Sequence, residues 1–251
     1  MKLISLQIRE FFHLVFLRAF SKHFAGRMYA LKGGICLRFF YNSVRFSEDM
    51  DFDISQRIPI DTLSRNINNL LKSPGITSSL ISSGVTKIHS KEVKKTNTTQ
   101  RWKVKLIMSD NTELSTKVEF SKRQKEFPWI SGVPNRELLQ VYQLAPFISQ
   151  YYSAEELTKQ KLYALASSSR TAVRDLFDLH HLFFSCNVKE IKKEIENHIL
   201  TNASDRISSF KISDFQAEII PFLPLDLAKY YSDNKNIEQM KNDCLRKLLY
   251  E

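Results

Sequence analysis

The stretch that decides the fold of this chain is Leu31-Lys32-Gly33-Gly34-Ile35-Cys36-Leu37-Arg38, followed by Arg45-Phe46-Ser47-Glu48-Asp49-Met50-Asp51-Phe52-Asp53. If residues 49–54 form a strand, the three aspartates lie on one face and the alternating apolar residues on the other. The glycine pair offers backbone N–H groups to a phosphate without interference from a Cβ atom. Two carboxylates on one strand face can hold Mg²⁺. The combination indicates nucleotide chemistry.

The segments around this stretch predict alternating helices and strands. Apolar residues at helical spacing predict a helix over residues 3–24, and Met28–Leu31 is a short strand candidate. A helix over Ile35–Tyr41 would have its N-terminus at the glycines, which favours anion binding there. Further along, a helix capped by Asp61 is expected to run to Leu71 and to stop at Ser73-Pro74-Gly75.

Two strand regions are expected at 76–90 and 100–121, the second with strict alternation of polar and apolar residues. From about residue 153 the period changes to 3.6, beginning with a capping serine at Ser153. The predicted helices there cover residues 153–167, 171–184, 188–200, 213–220 and 225–250, with breaks near Asn187, Asn202 and Pro221/Pro224. These patterns predict an α/β front half and a helical back half.

Composition limits the class of protein and its partners. The chain has 251 residues and a formal net charge of +10, which favours a polyanionic partner such as nucleic acid. Its three cysteines are far apart and form no CxxC pattern, which favours a reducing compartment. Charged residues interrupt the N-terminal apolar segment, and no apolar run is long enough to span a membrane. We therefore expect a cytoplasmic protein with no membrane partner.

Several other polar residues are candidates for the same site. Ser47 could contact a phosphate oxygen or simply form a turn. Glu119, on the wetter face of a later strand, could add a third metal-binding carboxylate and accept a proton from an attacking hydroxyl, or it could pair at the surface with Lys117 or Lys103. Asp53 lies a further ~7 Å along its strand, so a solvated or supporting role is expected.

The second half of the chain contributes a lysine and a polar helix face. Lys161 lies in a predicted helix, and the next helix carries Arg174, Asp175, Asp178 and His181 opposite an apolar stripe. Arg174 and Asp178 could pair as i,i+4 neighbours, or Arg174 and Lys161 could counter triphosphate charge. His180 and His181 lack partners at metal-ligand spacing and are read as structural or surface residues.

A basic series could form a nucleic-acid patch or a solvated hairpin: Lys87, Lys91, Lys94, Lys95, Arg101, Lys103 and Lys105, with Trp102 nearby.

Taken together, these motifs resemble the AbiEii/AbiGii toxin family of nucleotidyltransferases, which are relatives of DNA polymerase β. The family pattern K-G-G-[ST]-x-L-R followed by R-x-S-x-D-[LIM]-D-F corresponds to Lys32–Arg38 and Arg45–Phe52, with Ile35 at the usual Ser/Thr position. The pattern K-L-x-A-L followed by R-D-x-x-D-L corresponds to Lys161–Leu165 and Arg174–Leu179. The resemblance spans roughly residues 25–185.

The resemblance implies an α+β fold, with a polymerase-β-like nucleotidyltransferase domain built on a mixed sheet over residues 1–150 and a C-terminal helical bundle domain over residues 151–251. Lys32, Gly33, Gly34, Ser47 and Arg174 would bind the nucleotide, and Asp49 and Asp51 would bind Mg²⁺, with Glu119 as a possible third ligand. Lys161 and one of Asp175 or Asp178 would complete the catalytic set.

The family transfers a nucleoside monophosphate (NMP) from a nucleoside triphosphate (NTP) to an acceptor, tRNA in the best understood cases, often as a toxin with a cognate antitoxin or in phage defence. Two alternatives stay open at this point: an inactive nucleotide- or RNA-binding module, and transfer to a protein or small-molecule acceptor.

Overall fold

The computed structural model describes residues 4–24, 28–167 and 173–250. By its internal contacts the chain divides into two units. Unit 1 comprises Met1–Phe40 and Phe46–Tyr152, and unit 2 comprises Tyr41–Arg45 and Ser153–Glu251. The break after Tyr152 lies near the predicted boundary at residue 150, but the assignment of Tyr41–Arg45 to unit 2 was not expected. The functional division into domains 1–150 and 151–251 stays a prediction.

Unit 1 is built around a mixed seven-stranded sheet. Its strands are β1 (Tyr29–Lys32), β2 (Asp49–Ile54), β3 (Val85–Lys95), β4 (Thr99–Met108), β5 (Glu113–Ser121), β6 (Ile130–Gly132) and β7 (Ser149–Tyr151), in the order β3-β4-β5-β2-β1-β7-β6. β2 runs antiparallel to β1 and parallel to β5, and β7 runs parallel to β1. The strand with the aspartates therefore lies in the middle of the sheet.

Helices cover one face of this sheet. Those of unit 1 are α1 (Ser5–His23), α2 (Gly33–Phe40), α3 (Ile60–Leu71), α4 (Pro74–Leu80) and α5 (Arg136–Val141). The ring of Phe20 on α1 contacts the rings of Phe52 and Phe120, with centroids 5.0 and 5.4 Å apart. Trp102, fully buried, donates a hydrogen bond to Asn68 of α3. The apolar residues that alternate along β2, β4 and β5 thus form the core, and the polar ones form an open face.

Two sequence predictions for unit 1 are corrected. Residues 76–83 are not a strand: α4 begins at Pro74, which occupies its first turn, and β3 starts only at Val85. Proline is well suited to that position because its missing N–H would lack an intrahelical partner anyway. Asp61 lies inside α3 rather than at its N-cap, which is Pro59, and the Asp61 side chain pairs with Lys95 instead.

The described elements of unit 2 are helices: α6 (Ala154–Ala166), α7 (Val173–Leu182), α8 (Val188–Lys193), α9 (Asn197–Ser209), α10 (Ile212–Glu218), α11 (Leu225–Tyr230) and α12 (Asn234–Leu249). The first two residues of the helix predicted over 171–184 lie outside the described residues. Ser153 caps α6 as predicted, since its side chain accepts a hydrogen bond from the backbone of Glu156.

Two long predicted helices are each divided in two. The helix expected over 188–200 ends at Lys193, and α9 then continues through Asn202, where a break was predicted. Asparagine is only a weak helix breaker, so packing of α9 overrides it. The helix expected over 225–250 is interrupted after Tyr230, because the Asp233 side chain caps a new helix at Lys235. None of the described helices is long and apolar enough to cross a membrane.

A buried histidine links α1 to the start of β2. His13 is fully buried, and its Nε2 lies 2.7 Å from Thr116 Oγ1. The Thr116 hydroxyl donates in turn to the backbone oxygen of Glu48, so His13 Nε2 is the donor to Thr116. Burial, together with the nearby Arg9, lowers the pKa of His13 to about 3.

This histidine predicts a specific loss of stability in mild acid. The unfolded chain protonates His13 below about pH 6.5, whereas the folded chain resists protonation down to about pH 3. Stability should therefore fall by about 1.4 kcal/mol per pH unit from this group alone, or about 2 kcal/mol between pH 6.5 and 5. Urea unfolding of the wild type and of His13→Gln at both pH values measures the difference.

The matched control is His198→Gln, which removes an exposed histidine of α9. Parallel pH profiles for wild type and His13→Gln would contradict the prediction.

Candidate active site

The turn from β1 into α2 brings a backbone against a carboxylate. Gly33 has φ +72°, in the left-handed region, and a Cβ atom built on it would lie 3.1 Å from Asp51 Oδ2. Glycine is needed here for its conformation and for its lack of a side chain. Gly34 follows in the first turn of α2. The predicted glycine turn thus lies directly beside one of the predicted metal-binding aspartates.

Asp49 and Asp51 lie on the open face of the sheet, as the alternation predicts. Both are half-buried, whereas Met50 and Phe52 between and after them are fully buried. Asp51 is opposite Lys32 on one side and Glu119 on the other. The Lys117 ammonium lies 2.7 Å from Asp49 Oδ2. The candidate site is thus a group of charges on three adjacent strands.

The electrostatic setting of Asp51 is unfavourable for its own negative charge. Burial raises the pKa of Asp51 to about 6, and the charges of Glu119 and Asp49 add to this against the opposing effect of Lys32 and Lys117. A carboxylate among carboxylates favours a bound cation, because the cation removes the repulsion between them.

Asp53 has a different environment from the other two aspartates. It is almost fully buried, with Lys32 Nζ 2.7 Å from its Oδ1 and the Tyr152 hydroxyl donating to Oδ2 at 2.7 Å. The expectation that Asp53 is solvated is therefore wrong, whereas the alternative, that Asp53 supports the site, agrees with these contacts. Lys32, predicted to bind nucleotide, is held by Asp53 at the edge of the site.

The other predicted residues of unit 1 take the following positions. The Ser47 hydroxyl donates to the backbone oxygen of Asp49 at 3.4 Å, which is the turn role. Glu119 pairs with Arg101, not with Lys117 or Lys103 as the surface alternative expected. Within the described residues no group of three or more His, Cys, Asp or Glu side chains is arranged to hold a metal. Glu119 as a metal ligand stays a prediction.

The predicted residues of unit 2 form a buried ionic network. Lys161 Nζ lies 2.7 Å from both Asp175 Oδ1 and Asp178 Oδ2. Asp178 also receives the Arg45 guanidinium, with Nη2 2.8 Å from each carboxylate oxygen and Nε 3.0 Å from Oδ1. The polar face that the sequence predicted for α7 is therefore enclosed, because its charges are paired.

The network accounts for the charge state of its members. Burial alone would lower the pKa of Lys161, but the two aspartates outweigh it and raise the pKa. Burial would likewise raise the pKa of Asp178, and Arg45 and Lys161 reverse this and lower it. Asp178 is thus committed to two cations, one of them in the Tyr41–Arg45 segment. Arg45 is the first residue of the motif Arg45–Phe52, but its position in the sequence did not indicate that it would pair with Asp178, 133 residues further along the chain.

Arg174 does not form the ion pair that its i,i+4 spacing to Asp178 offered, and its nucleotide-binding role stays a prediction. Its Nε lies 4.0 Å from Glu218 Oε2, and its guanidinium lies over the Phe222 ring, 4.7 Å from the centroid. His181 is structural, as expected, with Nε2 2.6 Å from the backbone oxygen of Tyr41.

Solved structures share this arrangement of elements. JHP933 from Helicobacter pylori is 23% identical, with 99% of this chain and 95% of that chain covered and a TM-score of 0.56. MenT4, a nucleotidyltransferase toxin from Mycobacterium tuberculosis H37Rv, is 14% identical, with 98% and 85% covered and a TM-score of 0.61. These similarities establish the fold, a mixed α+β fold found in nucleotidyltransferase toxins. No curated protein sequence matches the chain significantly.

The family follows from the sequence itself. The chain belongs to the AbiEii nucleotidyltransferase toxins, because the family described as "Nucleotidyl transferase AbiEii toxin, Type IV TA system" matches residues 15–246. The resemblance inferred from the motifs is confirmed, and the protein is a nucleotidyltransferase enzyme of a toxin–antitoxin family.

Gly33→Ala should destabilise unit 1. The substitution forces a left-handed conformation that costs about 1–2 kcal/mol, and it places a methyl group against Asp51. The control is Gly75→Ala in the first turn of α4, where the new Cβ would lie 3.6 Å from Ser73 Oγ, an ordinary contact. Thermal unfolding compares the two variants, and equal melting temperatures would contradict the proposed constraint.

Asp178→Asn should be far more damaging than Asp175→Asn. The first leaves two buried cations without their shared carboxylate, which typically costs about 3–5 kcal/mol, whereas the second leaves Asp178 in place for both. Folding lowers the pKa of Asp178. Its contribution to the free energy of unfolding is therefore complete at pH values above the pKa in the unfolded chain, and it is lost as the pH falls through the pKa in the folded chain. Urea unfolding at pH 7 therefore measures it fully, and similar midpoints for both variants would refute it.

Proposed function

We propose that this protein transfers an NMP from an NTP to a hydroxyl group of an RNA acceptor such as tRNA, with Mg²⁺ bound by Asp49 and Asp51. The acceptor oxygen attacks the α-phosphorus and forms a new P–O bond. The bond from the α-phosphorus to the bridging oxygen breaks, pyrophosphate leaves, and the hydroxyl proton passes to water.

The observation that carries this proposal is the position of the Gly33 turn beside the Asp51 carboxylate, whose Oδ2 lies 3.1 Å from where a Cβ atom on Gly33 would be. A triphosphate bound at the glycine turn would meet the N-terminus of α2, where N–H groups and the helix dipole favour negative charge. The same phosphates would lie within reach of the carboxylate face of β2. Phosphate and metal sites therefore adjoin within unit 1.

The donor set fits a divalent cation with hard-ligand preference. Asp49 and Asp51 offer carboxylate oxygens on one strand face, and the raised pKa of Asp51 reflects negative charge that a cation would balance. When bound, Mg²⁺ polarises the phosphate and neutralises charge that develops in the transition state. Lys32, held by Asp53, would maintain the position of β1 beside β2 through the reaction.

The roles carried over by resemblance to Lys161 and to Asp175 or Asp178 stay predictions. The pairing pattern distinguishes the two acids: Asp178 holds Arg45 and Lys161, so we assign it a positioning role and leave the catalytic assignment with Asp175. Gly34, Ser47 and Arg174 remain predicted nucleotide contacts, and Glu119 a predicted metal ligand.

The proposal of an RNA acceptor rests on the net charge of the chain, and the proposal of an antitoxin rests on its family. The net charge of +10 supports a polyanionic acceptor, and the type IV toxin–antitoxin family supports a cognate antitoxin that limits the enzyme in the cell.

Asp49→Asn and Asp51→Asn should each lower label transfer from an α-³²P-labelled NTP into RNA by at least about 1,000-fold, equivalent to about 4 kcal/mol of lost transition-state stabilisation. The assay incubates the protein with total RNA and each of the four NTPs, with Mg²⁺ or with EDTA. EDTA should abolish transfer by the wild type, and added Mg²⁺ should restore it.

The control is Asp61→Asn, which changes an exposed aspartate of α3 and should transfer label normally. Wild-type activity in either β2 variant would refute the metal assignment. If label appeared in protein but not in RNA, the acceptor would be a protein rather than RNA. Tight Mg-NTP binding without any transfer would favour an inactive binding module.

A further inference from the structure

A row of basic side chains runs across the open face of the sheet from the candidate active site. In the strand register Asp49 is opposite Lys117, Lys117 is opposite Lys103, and Lys103 is opposite Lys91. The row crosses β2, β5, β4 and β3 in turn. We call Lys117, Lys103 and Lys91 the lysine row.

Like charges directly opposite on neighbouring strands repel, because their Cβ atoms are only about 4.5–5.5 Å apart. Lys117 is compensated by Asp49, 2.7 Å away. Within the described residues, neither Lys103 nor Lys91 has a carboxylate within 4.0 Å. The two glutamates of β5 on this face, Glu113 and Glu119, are already paired with Lys105 and Arg101. The outer part of the row therefore carries uncompensated positive charge.

Other basic residues share this face of the sheet. Lys91 and Lys103 are exposed, and the register places Lys87 and Lys94 beside them, whereas Arg101 and Lys105 on the same side are paired with Glu119 and Glu113. Trp102, which the sequence placed near the basic series, is buried on the helix-covered side. The face therefore offers charge for phosphates and no aromatic platform for bases.

These properties favour a nucleic-acid strand over a protein partner. Protein interfaces are depleted in lysine at their cores, and nucleic-acid interfaces are much more positively charged. Two strand spacings separate Lys117 from Lys91, about 10 Å, which exceeds the ~3.4 Å axial rise per phosphate of one nucleic-acid strand. The row is long enough to contact more than one phosphate.

We propose that the lysine row binds the phosphate backbone of the RNA acceptor and leads its reactive end to Asp49. This inference rests on the proposed function for the identity of the acceptor. The contacts are independent of base sequence, so the row supplies affinity and direction, and selection among RNAs must come from other groups.

The test uses the full-length Lys91→Glu/Lys103→Glu double variant and a control of equal charge change, Lys22→Glu/Lys72→Glu, whose lysines are exposed on α1 and at the end of α3. Binding of fluorescently labelled tRNA is measured by anisotropy between 50 and 200 mM salt, together with label transfer and binding of a fluorescent NTP. The row variant should bind tRNA at least about tenfold more weakly at 50 mM salt. Its salt dependence should fall by about one unit of slope per lost phosphate contact.

NTP binding should be unchanged in the row variant, and the control should keep most of its tRNA affinity and its full salt slope. Equal losses in row and control variants would overturn the proposal, since net charge alone would explain them. Wild-type tRNA binding by the row variant would also overturn it.

The two hypotheses can fail separately. If the wild type transfers no label to RNA but binds tRNA through the row, the docking surface stands and the proposed reaction fails. If the wild type transfers label to RNA and the row variant does so equally well, the reaction stands and the docking surface fails.

Discussion

The closeness of the Gly33 turn to the carboxylate of Asp51 is the constraint on which the candidate site in unit 1 depends. A Cβ atom on Gly33 would lie 3.1 Å from Asp51 Oδ2, closer than an ordinary contact, at a φ of +72° that residues with side chains rarely adopt. This closeness requires the antiparallel register of β1 and β2, in which Lys32 is opposite Asp51. That register in turn fixes which face of the sheet carries the aspartates and which face the helices cover.

Charged side chains have two contrasting kinds of surroundings in this molecule. Three buried carboxylates each have two partners: Asp53 with Lys32 and Tyr152, Asp178 with Arg45 and Lys161, and Glu10 with Arg38 and Tyr142. On the open face like charges also lie close together, since Glu119 and Asp49 are near Asp51 and lysines oppose lysines across β3, β4 and β5. Such an arrangement is stabilised when ligands of opposite charge bind.

Much of unit 1 was predictable from local patterns. Strict alternation identified β2, β4 and β5 together with their buried and open faces, because a strand in a one-sided core shows its environment at every second residue. Helix boundaries were less predictable from single polar residues: Asp233 caps a new helix that was not expected, whereas α9 continues through Asn202, where a break was expected. The strand expected at 76–83 was wrong because its apolar residues also suit the short helix that Pro74 begins.

By itself the sequence determined the family, the glycine turn and the carboxylates of β2, since each depends on neighbours within a few residues. Only the tertiary structure decided how the remaining charges are paired. It brought Arg45 to Asp178, Tyr152 to Asp53 and Arg101 to Glu119, and it aligned three lysines in one row. Partners so distant in the chain leave no periodic signal. The strength of an ion pair depends on the distance between its two charges, and within the sheet the strand register sets that distance.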